Sequence, residues 1–302
     1  MMNAQTQTDK HKATEYFVTI LERHLTAEGV RWLRDKQQEL EKNFSEKSFY
    51  MAFSGAPRFV GKAPLEITTA DLEKADAIRK GFNPTGWNVE IMTRALLMLW
   101  LPADEKEYFH ATLKKLFETS TMNELVALYS SLPLLPHPAE LIMRCAEGLR
   151  TNIVSVFDAI TLQNPYPFDY LDEHAWNQMF LKAAFLDRPL YMITGVDKRA
   201  NEDLARIISD YAHERWAASR IISPEIWRPV TGHVNDILLK DLSHLFADKD
   251  PLNHTAAALV CHHSDHKEAK KLLEAHPNSK KVLENGMDWT ELGKEWWAKK
   301  KS

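Results

Sequence analysis

The sequence predicts an all-α protein, a multi-helical α-α superhelix of stacked antiparallel helix pairs in the manner of a HEAT-like solenoid. Three observations predict it. Glycine is scarce, at 10 residues in 302, against about 7% in average proteins, whereas parallel α/β folds use glycine in their βα loops. Apolar residues recur at helical spacing in window after window, separated by short breaks marked by Pro or Gly. No window alternates apolar and polar residues with β-branched enrichment, so no strand is expected.

Taken in order, amphipathic windows place helices over 13–24 and 27–43, which form an N-terminal hairpin. The stretch 54–64 holds Gly55, Pro57, Gly61 and Pro64, and reads as a loop separating that hairpin from the rest, or as a surface excursion. Helices then follow over 69–80, 87–100, 103–118, 122–132, 138–149 and 153–163. A further set covers 172–186, 200–219, 224–230, 234–247, 251–262, 265–275 and 289–299. Start signals accompany several of them: Thr69 ahead of Glu73, an acidic first turn opened by Asp104, and Ser223-Pro224 pairing an N-cap with a first-turn proline. Pro102, Pro133, Pro136, Pro165, Pro189 and Pro277 mark stops. The whole chain, 1–302, is expected to form a single all-α domain with residues 1–12 flexible. Its most repeat-like stretch is 248–277, where Asp-Pro opens an alanine-rich helix.

Composition excludes several function classes. With 38 basic against 42 acidic residues the net charge is −4, too bland to attract nucleic acid or an anionic membrane. Cys145 and Cys261 are the only cysteines, too few for a disulfide framework, which fits a reducing compartment. The longest apolar run, 95–101, falls far short of the about 20 residues that span a bilayer, and no secretory signal opens the chain. No integral membrane segment and a cytoplasmic location are therefore expected. No G-x-G-x-x-G array or G-x-S-x-G elbow is present, and Gly81 to Gly86 has the Walker spacing with Trp87 in place of the phosphate-holding lysine. No cofactor is expected.

Histidine is plentiful at 13 residues, so metal binding needs weighing. His262 and His266 share the i, i+4 spacing of two ligands on one helix face, with His263 and Asp265 between them, but the group straddles a turn. His213-Glu214 is followed by Arg-Trp-Ala-Ala, without the second imidazole of a zinc helix. Asp210-x-x-His213 and Asp241-x-x-His244 share the spacing of di-iron bundle ligands, but Asp210 and His213 project outward from their helix. No metal site is expected.

Two polar side chains fall where the pattern is apolar. On the helix over 172–186, Asn177 lies among Phe180, Leu181 and Ala184, so it either braces neighbouring backbone or binds something. On the helix over 200–219, Leu204, Ile208, Tyr211 and Arg215 form one stripe, which carries a guanidinium toward the core, where it needs a carboxylate. The rigid loop Asn164-Pro165-Tyr166-Pro167 either lines a pocket or caps adjacent helix ends. The tail Trp296-Trp297-Ala298-Lys299-Lys300-Lys301 reads as a cap on the last helix pair rather than a membrane-touching segment.

Four runs resemble the EboA family: Asn164 to Tyr170, Trp176 to Met179 with Lys182-Ala183, Asp197 to Asn201, and Asp210 to Ala218. The resemblance is close over 152–228 and loose over 75–275. It implies a setting in gene clusters that also encode a membrane prenyltransferase, a sugar-phosphate-type cyclase and hydrolase-like proteins, linked with transport or maturation of secondary metabolites. It implies no catalytic residue. The matching polar positions Asn164, Tyr166, Asn177, Lys182, Asp197, Arg199, Asn201, Glu214 and Arg215 are the candidate ligand-binding residues.

Three functions follow. The leading one is a non-enzymatic accessory protein in secondary-metabolite trafficking or maturation, which binds a hydrophobic metabolite or a partner protein of the same gene cluster. The second is a helical protein-protein interaction scaffold without a pocket. The third is an enzyme using Lys182, Glu214 or the histidines for acid-base or metal chemistry.

Overall fold

The computed structural model describes residues 9–301, and the fold is all-α. Among the described residues no strand occurs, and Pro64 and Asn88 form an isolated antiparallel bridge. Of the stretch expected to be flexible, residues 1–8 lie outside the described residues, while Lys10 already opens a helix. Asp9 caps it, its carboxylate accepting from the backbone N–H groups of His11 and Lys12 at 3.1 and 3.2 Å. The chain divides into two compact units between Tyr170 and Leu171.

The first unit holds α1 (Lys10–His24), α2 (Ala27–Lys42), α3 (Glu46–Gly55), α4 (Pro57–Val60), α5 (Thr69–Ile78) and α6 (Val89–Trp100). It continues with α7 (Lys106–Thr119), α8 (Met122–Ser131), α9 (Ile142–Arg150), α10 (Val154–Thr161) and α11 (Tyr166–Tyr170). α6 runs through its middle, packed by α1, α2, α3, α4 and α8, and all of it but Ile91 is buried. A helix buried all round must pair any charge it carries. Arg94 donates from Nε to the Phe53 carbonyl at 2.9 Å and from Nη1 to the Glu90 carboxylate, with Glu124 3.7 Å from Nη2.

Several expected boundaries shift for local reasons. The stretch 54–64, expected as a loop, carries the end of α3 and all of α4, with Pro57 as a first-turn residue of α4 rather than a break. α5 starts at Thr69 as expected but ends at Ile78, and the start signal comes from Thr68, which forms a reciprocal capping box with Asp71. Gly148 on α9 sits where a Cβ would lie 2.4 Å from Ile160 and 2.5 Å from the Tyr129 ring, so α8, α9 and α10 meet at contact distance only because that side chain is missing.

The second unit holds α12 (Glu173–Phe185), α13 (Glu202–Ala217), α14 (Asp236–Phe246), α15 (Pro251–His263), α16 (Lys267–Glu274), α17 (Pro277–Glu284) and α18 (Trp289–Lys301). Residues 224–230, expected as an α-helix, form a tighter 3-10 segment with Pro229 inside it, because proline lacks the N–H that an α-helical ladder needs. Pro277, expected as a stop, instead opens α17. α15 is the hub, touched by the 3-10 segment and by α14, α16, α17 and α18. Its residues Thr255 to Cys261 are all buried, and three successive alanines let the neighbours come close.

α18 closes this unit. Trp289, Leu292 and Trp296 face inward, the role expected of the tail as a cap. Gly293 lies against Tyr191, where an added Cβ would meet the ring Cδ1 at 2.4 Å. Next to it the Trp297 indole donates to Glu225 Oε1 at 3.0 Å, while the Tyr191 backbone N–H donates to Glu225 Oε2 at 2.5 Å.

Candidate functional site

The polar candidates in the first unit serve the backbone. Asn164 is buried, donates to the carbonyls of Tyr129 and Ala159 at 3.2 and 2.8 Å, and accepts from the Tyr166 N–H at 2.9 Å. The Tyr166 hydroxyl donates to the Pro138 carbonyl at 2.5 Å. Together they fix the start of α11 as helix-end caps, one of the two roles expected for that loop.

In the second unit Asn177, 4% exposed, faces Asn201, and the two amides exchange hydrogen bonds of 3.1 and 2.9 Å. Asn201 in turn caps α13 through the Leu204 N–H at 2.8 Å. Arg199 donates to the carbonyls of Leu171 and Asp172 and lies over the Trp176 ring, 5.1 Å from its centroid. Asp197 takes Arg228 in a two-pronged ion pair, 2.8 and 2.6 Å. These residues converge on the junction between α12 and α13 and brace it. Lys182 is half-buried, and burial pulls its ammonium below the usual lysine range. Glu214 is exposed on α13.

Arg215 departs from the expectation of a core guanidinium paired with a carboxylate. It is half-buried, donates from Nη2 to the Ile221 carbonyl at 2.9 Å, and stands 5.9 Å from the Tyr211 ring centroid. Its Nε is buried without an acceptor. The stripe that begins in the core at Leu204 and Ile208 emerges at the C-terminal turn of α13, so the last member reaches the wall of a cleft instead.

That cleft has a volume of about 630 Å³ and lies wholly within the second unit. The C-terminal ends of α12 and α13, the segment 219–227, the α14–α15 connection and α18 surround it. Its walls combine aromatic and aliphatic side chains, Tyr211, Trp216, Ile226, Trp227 and Trp296 among them, with a similar number of polar and charged ones. Trp216 is held in place from two sides, 5.8 Å from Trp227 and 4.2 Å from His244 between ring centroids. Phe185 and Ile221 at the lining are 68% and 77% exposed, large apolar surface left in water. Two helix ends at the rim turn through left-handed residues other than glycine, Asp187 (φ 56°) and Ser219 (φ 53°).

Behind the cleft sits Glu225, 2% exposed, with its carboxylate pushed up to about 7 by burial against the opposing pull of the Tyr191 and Trp297 N–H donors. Sequence reasoning missed this residue, because its burial comes from α18 some 70 positions away. His213 and Asp210 are both exposed on α13, as expected, with Asp210 paired to Arg206 at 3.2 Å. The sequence did not reveal that His213 Nε2 also reaches the buried Asp241 on α14 at 2.6 Å, where Ser209 donates to the other oxygen at 2.6 Å. His262 and His263 stand at an exposed helix end, and among the described residues no three His, Cys, Asp or Glu side chains are placed to share a metal ion. Cys145 and Cys261 are free thiols, both buried.

Compared with known proteins, residues 13–231 match the model of one family, described as metabolite traffic protein EboA. The matched span includes the α13 and 219–227 walls of the cleft, while the walls from α14, α15 and α18 lie beyond it. No curated protein and no solved structure matches the chain.

Proposed function

The chain belongs to the EboA family, and we propose that it is a non-enzymatic accessory protein of secondary-metabolite trafficking or maturation that holds a hydrophobic metabolite in the cleft of its second unit. The observation that carries this reading is the cleft: about 630 Å³, aromatic-walled, and rimmed by exposed apolar side chains. Small-molecule sites have about this size, and in them apolar walls hold the ligand while polar groups orient it. Arg215 is the candidate that joins the site, and the Asn177–Asn201 pair positions the helix that bears it. The free buried thiols support a cytoplasmic setting, and no described helix is long and apolar enough to cross a membrane. Proteins of the same gene cluster are the natural partners for loading and unloading.

Native mass spectrometry of protein purified from its own host tests the proposal. A retained small molecule, lost when Trp216 is changed to Ala, is the expected result. Bare protein, alone or with a protein partner that binds equally well to the W216A variant, would instead favour a scaffold. The scaffold reading has one observation in its favour, that eight of the nine candidate polar side chains lie away from the cleft lining.

A further inference from the structure

We infer that the cleft selects an amphipathic ligand with one acidic group, a carboxylate, sulfonate or phosphate on a flat apolar body, and that Arg215 and Arg220 read the acid. This rests on the cleft being a ligand site. The first support is charge. Arg215, Arg220, Lys249, Lys299 and Lys300 line the cleft against the three carboxylates Asp187, Asp248 and Asp250. Those carboxylates are engaged: Asp250 with Lys299 at 2.7 Å, Asp187 with Lys300, and Asp248 with the Asp250 backbone N–H at 2.7 Å. Positive charge is therefore left over on the α13 side, where Arg215 meets only a carbonyl and a ring, and Arg220 stands exposed.

The second support is position. Arg215 and Arg220 line the cleft together with Tyr211, Trp216 and Trp227, so an acid held by the guanidiniums leaves the rest of the ligand against the rings. The aromatic walls then hold the apolar body, with Trp216 fixed between Trp227 and His244 as a rigid platform.

Fluorescence titration with two probes of one ring framework tests this on the full chain. Anilinonaphthalene sulfonate carries the acid and N-phenylnaphthylamine lacks it. The sulfonate should bind about tenfold more tightly, a preference worth about 1.4 kcal/mol, and lose most of that advantage in high salt. Arg215→Gln and Arg220→Gln should each weaken the sulfonate about threefold or more while leaving the neutral probe within about twofold. Arg220 is exposed, and among the described residues its side chain makes no hydrogen bond or ion pair, so it keeps the test valid if Arg215→Gln loosens the 215–221 turn. Equal affinity for both probes, or a sulfonate preference untouched by both arginine changes, overturns the inference and leaves the cleft as a site. Failure of both probes to bind saturably overturns the cleft reading itself, and this one with it.

Discussion

Replacing Gly293 with alanine measures how tightly α18 is docked, and hence how firmly one wall of the cleft is held. The added methyl would lie 2.4 Å from Cδ1 and 2.7 Å from both Cβ and Cγ of Tyr191, where ordinary contact starts near 3.4 Å. About 1 Å must be found. Tyr191 is a poor donor of that space, because its backbone N–H is fixed on Glu225 and two of the three clashing atoms lie at the root of the side chain. Overpacking of this kind costs about 1–3 kcal/mol. Against it, alanine in a helix interior is favoured over glycine by about 1 kcal/mol. The clash should win, leaving a net loss of up to about 2 kcal/mol, which thermal unfolding followed by circular dichroism would show as a fall of a few degrees. Because α18 carries Trp296 and Lys299, affinity for a cleft probe should fall in parallel. Gly232→Ala, where an added methyl meets nothing within 4 Å, is the matched control. A Gly293→Ala protein that is more stable than the parent, with unchanged probe affinity, would refute the close packing of α18 on Tyr191.

Three further outcomes are expected. Glu225 is raised from 4.5 to about 7 in the fold, so the folded state binds its proton more tightly than the unfolded chain. Its contribution is greatest at acid pH and is lost as pH rises from about 4.5 to about 7, a change of about 3 kcal/mol. Urea unfolding should therefore show the stability difference between parent and Glu225→Gln narrowing by about that amount across this window, and a constant difference would argue against a buried titrating carboxyl. Asn177→Leu strips Asn201 of its amide partner and should cost about 1–3 kcal/mol with probe affinity kept; lost affinity at unchanged stability would make Asn177 a ligand contact after all. Arg94→Met leaves the buried Glu124 without its cation and Glu90 with only Lys62 at 3.5 Å, and chemical denaturation should register a loss of about 3–5 kcal/mol, whereas near-neutral stability would refute the account of Arg94 as the charge partner inside α6.

The helices with strong apolar periodicity were legible from the sequence, and so was the class of the fold. α1, α2, α6 and α13 fall within three residues of the windows that announced them. Prolines were the main source of error. Pro57 reads as a loop residue and Pro277 as a stop in one dimension, yet a proline in the first turn costs no hydrogen bond and opens a helix as well as it ends one. α3 was missed because its apolar residues Phe49, Ala52 and Phe53 run straight into Gly55 and Pro57, which masks a ten-residue helix as loop. At the site, Asn177 was read as a brace or a contact, and only its partner 24 positions away decides between them. Arg215 was placed on the right stripe but at the wrong depth, since periodicity gives a direction around a helix and not where that helix leaves the core. The cleft itself draws on residues from 184 to 300, and no local window encodes such convergence.

Trp216, flanked by Trp227 and His244, makes the protein its own optical sensor. Two nearly parallel indoles, tilted by 20°, share excitation, and both border the space a guest would fill. Occupancy would then change emission without any label, so that binding of an unlabelled natural compound can be followed directly, including in crude extracts fractionated against the purified chain.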